Sequence, residues 1–234
     1  TFGTLPEPAK GQVLVRVKAS AVTRADAMMR SGTPRFARLF LWLSKPRASL
    51  FGTCFSGEIV KVGADVSGFK PGDAVFGEAG LHFGANSTHI CLEADGSLVS
   101  KPDMLSYEDA ATLCDGALTS WHFLTRVAQL KPGDRLLVLG GSGSLGTAAV
   151  QFAVALGAEV TTTSSARNAA LLESLGATRT VDYANEEPLA PGAGYDVIFD
   201  TLGVASFARA KAALVAEGSY VCPVLNLRLL RDML

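Results

Sequence analysis

Gly141, Gly143 and Gly146 stand in the spacing GxGxxG inside GGSGSLG, between the apolar run LLVLG and the helical pattern TAAVQFAVALGA. Each glycine has its own physical reason. The first permits a tight turn, the second lets backbone approach a pyrophosphate, and the third lets a helix pack against a strand. Peptide N–H groups along Gly141, Ser142, Gly143, Ser144, Leu145 and Gly146 would then face the phosphates, with the helix dipole behind them. The spacing alone is weak, because a flexible turn has the same composition. The strand before it, the helix after it and the next apolar strand supply the context that the motif requires, and the implied ligand is a dinucleotide.

The end of the second strand selects which dinucleotide. A site for NAD usually places Asp or Glu about 20 residues on, where it holds the ribose hydroxyls. Here Thr163, Ser164 and Ser165 occupy that place, followed by Arg167. No carboxylate repels a 2′-phosphate, and two hydroxyls and a guanidinium can receive one. Tyr183, ending the third strand, can lie over the same phosphate or over the adenine. Arg167 and Tyr183 also have plain readings, as a solvated cation at a helix start and a strand-end aromatic. The missing acid is the stronger sign, and NADPH is the expected cofactor.

These residues need a frame to hold them. Ser106 with Asp109 can cap a helix running through EDAATLCDGALTSWHFLTRVAQL, and KPGD then turns the chain into a strand over 135–140. The pattern continues with helices over 147–156, 168–175 and 206–215, and strands over 159–164, 178–183, 195–200 and 219–224. Apolar strands alternating with helices predict a parallel sheet covered on both faces. Before Pro102 the texture differs. Short β-rich runs such as QVLVRVKASAV and FSGEIVKVG are separated by turns such as Pro71-Gly72-Asp73. Val13, Val15 and Val17 alternate with Leu14, Arg16 and Lys18, which predicts a strand with one buried face in an irregular antiparallel barrel. The expected domains are 1–105 and 106–234.

Composition narrows the class. The formal net charge of -1 gives no electrostatic footprint for nucleic acid or acidic lipid. Hydrophobic residues make up 48% of the 234, yet no apolar run is long enough to cross a bilayer. Cys54, Cys91, Cys114 and Cys222 lack CxxC spacing, which suits a reducing cytoplasm rather than a disulfide framework. No signal peptide precedes Thr1, and the lack of an initial Met suggests a start outside this sequence.

The order of GQVLVRVKASAVTRADAMMRSG, FSGEIVKVGADVSGFKPGDAVFG, EDAATLCDGALTSWHFL, the glycine loop, LLESLGATRTVDY and YDVIFDTLG resembles the medium-chain dehydrogenase/reductase superfamily. Within it, the chain resembles the zinc-independent, quinone-oxidoreductase-like branch. The resemblance implies an α/β protein with a GroES-like β-rich catalytic domain and a Rossmann NADP-binding domain, the active site lying in the cleft between them. Relatives carry a further Rossmann strand, which commonly makes a dimer edge, and a return to the catalytic domain. The C-terminal part is therefore expected to be incomplete, and homodimerisation stays open.

Zinc-dependent relatives place Cys, His and Cys where this chain has Thr23, Thr53 and Asp115, while Cys54 and Cys114 each fall one residue away. His82, His89 and His122 read as surface or packing histidines, so no metal site is expected. The resemblance places Thr23 where relatives have a substrate-side Asn. It matches Asp26 to a family acid, with a buried structural carboxylate as the competing reading. Thr119 matches a residue near the nicotinamide carboxamide, and Asp200, Thr201 and Leu202 lie where the family backbone meets the cofactor ribose. In RFARLFLWLSK, Phe36, Leu39, Phe40 and Leu43 follow helical spacing between basic flanks. The stripe reads as a helix packed on the barrel or as a lid over an apolar acceptor; membrane contact is not expected. The leading expectation is an NADPH-dependent, zinc-free reductase of quinones or α,β-unsaturated carbonyls. A zinc-free alcohol or aldehyde reductase is the alternative among enzymes, and a nucleotide-sensing or RNA-binding module is the alternative outside them.

Overall fold

A computed structural model describes residues 5–32 and 50–224. The stripe from Phe36 to Leu43 lies outside the described residues. The chain divides into two compact units, Thr1–Cys114 and Asp115–Leu234.

The first unit holds strands β1 (Gln12–Ser20), β2 (Cys54–Val62), β3 (Ala74–Glu78), β4 (His89–Glu93) and β5 (Leu98–Ser100). They form one sheet in the order β4-β1-β2-β3-β5, and every pairing is antiparallel. Val13, Val15, Phe55, Ile59, Val75, Ile90 and Leu98 make its core. The expected alternation in β1 fails at one place, where Leu14 is buried as deeply as its neighbours. Register against β2 slips between Leu14 and Val15, and such a bulge breaks the strict two-residue period. At 70–73 the turn closes as its residues require: Gly72 takes a positive φ of 95°, and the Asp73 carboxylate accepts from Lys70 N at 2.9 Å. Helix α1 (Arg24–Ser31) also belongs to this unit.

The second unit holds β6 (Arg135–Leu139), β7 (Glu159–Ser164), β8 (Arg179–Asp182), β9 (Tyr195–Asp200) and β10 (Leu214–Val221). Their order is β10-β9-β6-β7-β8, with every pairing parallel. Alternate strand residues point to opposite faces. Leu136, Val138, Val160, Val197 and Phe199 pack with Ala149, Val150 and Ala153 of helix α3 (Ser144–Ala155) and with Leu172 of α4 (Ala169–Ser174). Leu137, Leu139 and Ile198 pack with Ala210 and Ala213 of α5 (Phe207–Ala213). Both faces are covered, as apolar strands buried on two sides demand.

Helix α2 (Tyr107–His122) contains the division between the units. It begins with the expected cap, Asp109 N donating to Ser106 Oγ at 3.0 Å. The continuous helix expected to run on toward Leu130 instead widens into a π turn at Phe123–Val127, with Ala128 N donating to Phe123 O at 2.8 Å. The wider turn stacks Phe123 on Phe199 at 5.8 Å and buries Leu124 fully. Other boundaries shift as well. Helix α3 starts at Ser144 rather than at 147, because Gly143 is its extended N-cap. The stretch expected as one helix over 168–175 opens with a 3-10 turn at Ala166–Asn168 before α4. Helix α5 stops at Ala213, and Leu214 pairs at once with Tyr195 before an irregular stretch rejoins the ladder at Ser219. β10 ends at Val221 just ahead of Pro223, which has no N–H for a ladder.

Candidate functional site

The site is best built from β6 and β7. β7 reads EVTTTS, and its side chains are buried from Val160 through Ser164. Buried hydroxyls need partners. Thr162 Oγ1 donates to Val138 O at 3.1 Å, and Thr163 Oγ1 accepts from Gly140 N at 3.0 Å. Gly141 N donates to Thr163 O at 2.8 Å. The threonines thus fix where the chain leaves β6 and enters the loop. Sequence reasoning missed this role, although a run of hydroxyls in a central strand was its signal.

The loop glycines then separate by cause. A side chain at Gly141 would collide with Thr162, and one at Gly146 would strike Gly140 O and lie 2.6 Å from Gly141 C. Those two glycines are required by the protein's own packing. Gly143 differs: its φ of -82° suits any residue, and an added β-carbon would meet only Gly140 O at 3.6 Å. Ser142, Gly143 and Ser144 are exposed, and the first turn of α3 has N–H groups without intrahelical carbonyls. The loop therefore leaves open space at its middle glycine, beside a helix N-terminus, where backbone N–H groups favour an anion.

A second support comes from α2. Gly116 faces the start of α3 so closely that a β-carbon there would lie 2.5 Å from Ser144 O. One turn later, fully buried Ser120 donates to Leu145 O at 2.8 Å. Gly116 and Ser120 were not singled out from the sequence; small residues four apart on a helix were the available sign. Thr119, the expected nicotinamide-side residue, is half-buried beside Ser120.

At the end of β7, Ser164 is buried and donates to Ser165 O at 3.0 Å. Ser165 Oγ accepts from Asn168 Nδ2 at 3.4 Å, a partner the sequence did not announce. Arg167 is exposed, with no carboxylate paired to it among the described residues. Tyr183, 64% exposed, stands just past β8 and donates its N–H to Ser164 O at 3.3 Å. These four expected residues are thus gathered at neighbouring strand ends. Across the sheet, Asp200 closes β9 fully buried, and Thr201 Oγ1 donates to Leu139 O at 2.7 Å. Leu202 lies against Gly140, whose φ of 87° and missing β-carbon make room for it. β6 runs to β7 on one side and has β9 on the other, so the strand order reverses between β6 and β9. Ligands of such sheets bind at that switch point, beyond the carboxyl ends of the strands.

In the first unit, Thr23 and Asp26 come together, but on each other. Thr23 caps α1, with its N–H and hydroxyl both donating to Asp26 Oδ2, at 2.8 and 3.1 Å. Asp26 Oδ1 accepts from Gly52 N at 2.9 Å, and the side chain is buried. Both groups are engaged in holding the backbone. Neither Cys54 nor Cys114 is in a disulfide and both are buried, and burial first, then Cys54 and Glu78, push the Cys114 thiol up to about 12. Among the described residues, no three of His, Cys, Asp and Glu gather as a metal site. No helix of the described residues is long and apolar enough to cross a membrane.

Comparison with known proteins agrees with this frame. A family model described as an alcohol dehydrogenase GroES-like domain matches residues 9–129, and one described as a zinc-binding dehydrogenase matches 144–223. The chain is 34% identical over 222 residues to a zinc-type alcohol dehydrogenase-like protein of Schizosaccharomyces pombe, covering 90% of this chain and 62% of that one. It is 32% identical over 205 residues to a chloroplastic quinone-oxidoreductase of Triphysaria versicolor, covering 83% and 60%. It thus spans 62% and 60% of the length of these curated relatives. Among solved structures, the quinone oxidoreductase from Coxiella burnetii is similar with a TM-score of 0.87 and 31% identity, over 99% of this chain and 72% of that chain. A GroES-like domain followed by a Rossmann sheet, matched in sequence and in fold, places this chain in the medium-chain dehydrogenase/reductase superfamily.

Proposed function

We propose that the protein is an NADPH-dependent, zinc-free oxidoreductase, a quinone reductase or a reductase of α,β-unsaturated carbonyls. The observation that carries this is Gly143, a glycine that neither its φ nor its neighbours require. A space kept at a helix N-terminus by a residue the fold does not need fits a pyrophosphate. Gly141 through Gly146 would hold that pyrophosphate, Ser164, Ser165, Arg167 and Tyr183 the adenosine 2′-phosphate, and Thr201 and Leu202 the far half. NADPH, when bound, supplies a hydride.

The chain's own residues bind and orient. The domains are proposed as 1–105 for the GroES-like part and 106–234 for the NADP-binding part, in a cytoplasmic protein. Thr119 is the proposed residue beside the nicotinamide. Thr23 and Asp26 are proposed to stabilise the acceptor side structurally, since each already serves α1 and Gly52. No single acid is assigned to proton delivery. A quinone or conjugated enone suits such a site, because its developing charge spreads through the π-system and orientation carries more of the rate.

Steady-state oxidation of NADPH against a panel of small quinones, enones and aldehydes tests the proposal. Turnover with quinones or enones is expected, and a panel without turnover would overturn it. The name of the Schizosaccharomyces pombe relative favours a second reading, an alcohol or aldehyde reductase. Turnover confined to the aldehydes would establish that one instead.

A further inference from the structure

Asp200 sits at the switch point between β6 and β9, where a carboxylate reads from sequence as a group for the cofactor. Its surroundings say otherwise. The side chain is fully buried. Oδ1 accepts from Leu202 N at 3.1 Å and Gly203 N at 2.8 Å, and Oδ2 accepts from Ala205 N at 2.8 Å and the Tyr220 hydroxyl at 3.0 Å. A carboxylate has about four lone-pair positions, so these donors leave none for a ribose. Three of the donors belong to one short turn, 201–205, and the fourth comes from β10. Thr201 ties the same turn to β6 through Leu139 O. The turn then presses Leu202 on Gly140, where a β-carbon would lie 2.7 Å from Leu202 Cγ. Leu202 and Val204 stay 45% and 55% exposed on the outside of a turn whose backbone is held on every side.

We propose that Asp200 is a positioning residue that never touches the cofactor, and that it presets the 201–205 turn so that Leu202 and Val204 form an apolar rest for the nicotinamide half. The assignment rests on the dinucleotide reading of the glycine loop. Geometry gives it direction. If the 2′-phosphate lies at the end of β7 and the pyrophosphate over the loop after β6, the rest of the molecule extends toward β9, the strand on the other side of β6. Only a carboxylate serves all four donors. An amide of the same shape would turn an NH2 toward two of them and leave buried donors unsatisfied.

Calorimetry on the intact chain with two ligands tests this. NADPH needs both halves of the site, whereas adenosine 2′,5′-bisphosphate lacks the nicotinamide half. Asp200→Asn should weaken NADPH about tenfold to a hundredfold and reduce the nicotinamide fluorescence change on binding, while the bisphosphate stays within about twofold. Equal losses for both ligands would show that Asp200 only supports folding, and parental binding of both would show that the turn needs no anchor. Either outcome overturns the assignment. Should Asp200→Asn fail to fold, Tyr220→Phe removes one donor and keeps the three backbone ones. It should weaken NADPH severalfold and spare the bisphosphate, and parental binding of NADPH by that variant overturns the assignment too. A parent protein that binds neither ligand would instead remove the dinucleotide reading itself.

Discussion

Arg167 stands exposed just beyond β7, two residues after Ser165 and without an acid of its own among the described residues. A guanidinium left to solvent at that place has most to gain from a phosphate. Arg167→Ala is expected to weaken NADPH by roughly 1–3 kcal/mol, the range for a hydrogen bond to a charged group, and to leave NADH nearly unchanged. Titration with both cofactors decides the matter, and equal losses would remove Arg167 from the phosphate site. Cys114 gives a second expectation, on stability. Burial holds its thiol near 12 against an ordinary 9.0, so the unfolded chain ionises first as pH rises. The folded state then binds more protons than the unfolded one between those values, and stability falls with pH across that window. Below it the thiol is protonated in both states and contributes no slope. Denaturant midpoints at several alkaline pH values should fall more steeply for the parent than for Cys114→Ala, and parallel curves would assign the slope to other groups.

The glycine loop behaves as an element whose parts answer to different masters. Gly146→Ala and Gly141→Ala force atoms into Gly140 and Thr162, and should cost roughly 1–3 kcal/mol of stability, typical of overpacking. Gly143→Ala has open space before it and should melt close to the parent. Gly143→Val, folded by circular dichroism, should nonetheless lose NADPH in calorimetry, because its side chain fills the phosphate space. Parental binding by that variant would reduce the loop to a turn. The same elements show what the sequence could convey. Strands β7 and β9 were legible to the residue, since β-branched and apolar runs between turn signals leave few alternatives. The start of α3 was not, because a glycine N-cap is a matter of dihedral angles that composition does not encode. Asp200 was visible as a strand-end acid, but its donors lie at 202, 203, 205 and 220, and the most distant of them is known only once β10 is seen beside β9. Gly116 and Ser120 were hidden similarly, their partners being Ser144 and Leu145 on another helix.

Both domains bear on the question of metal. The chain matches a family model described as a zinc-binding dehydrogenase over residues 144–223, while the positions that the resemblance aligns with the zinc branch's ligands lie outside that match. Those positions carry Thr23, Thr53 and Asp115. Thr23 spends its hydroxyl on Asp26, within the cap of α1. A catalytic zinc needs three protein ligands converging on one open position, and a threonine hydroxyl is not among the groups that usually provide them. The protein is therefore expected to work without the metal. Elemental analysis of active protein should find zinc far below one per chain, and prolonged treatment with a chelator should leave the rate of NADPH oxidation unchanged. Zinc at one per chain, removed together with activity and restored with it, would overturn this expectation and place the chain in the zinc-dependent branch.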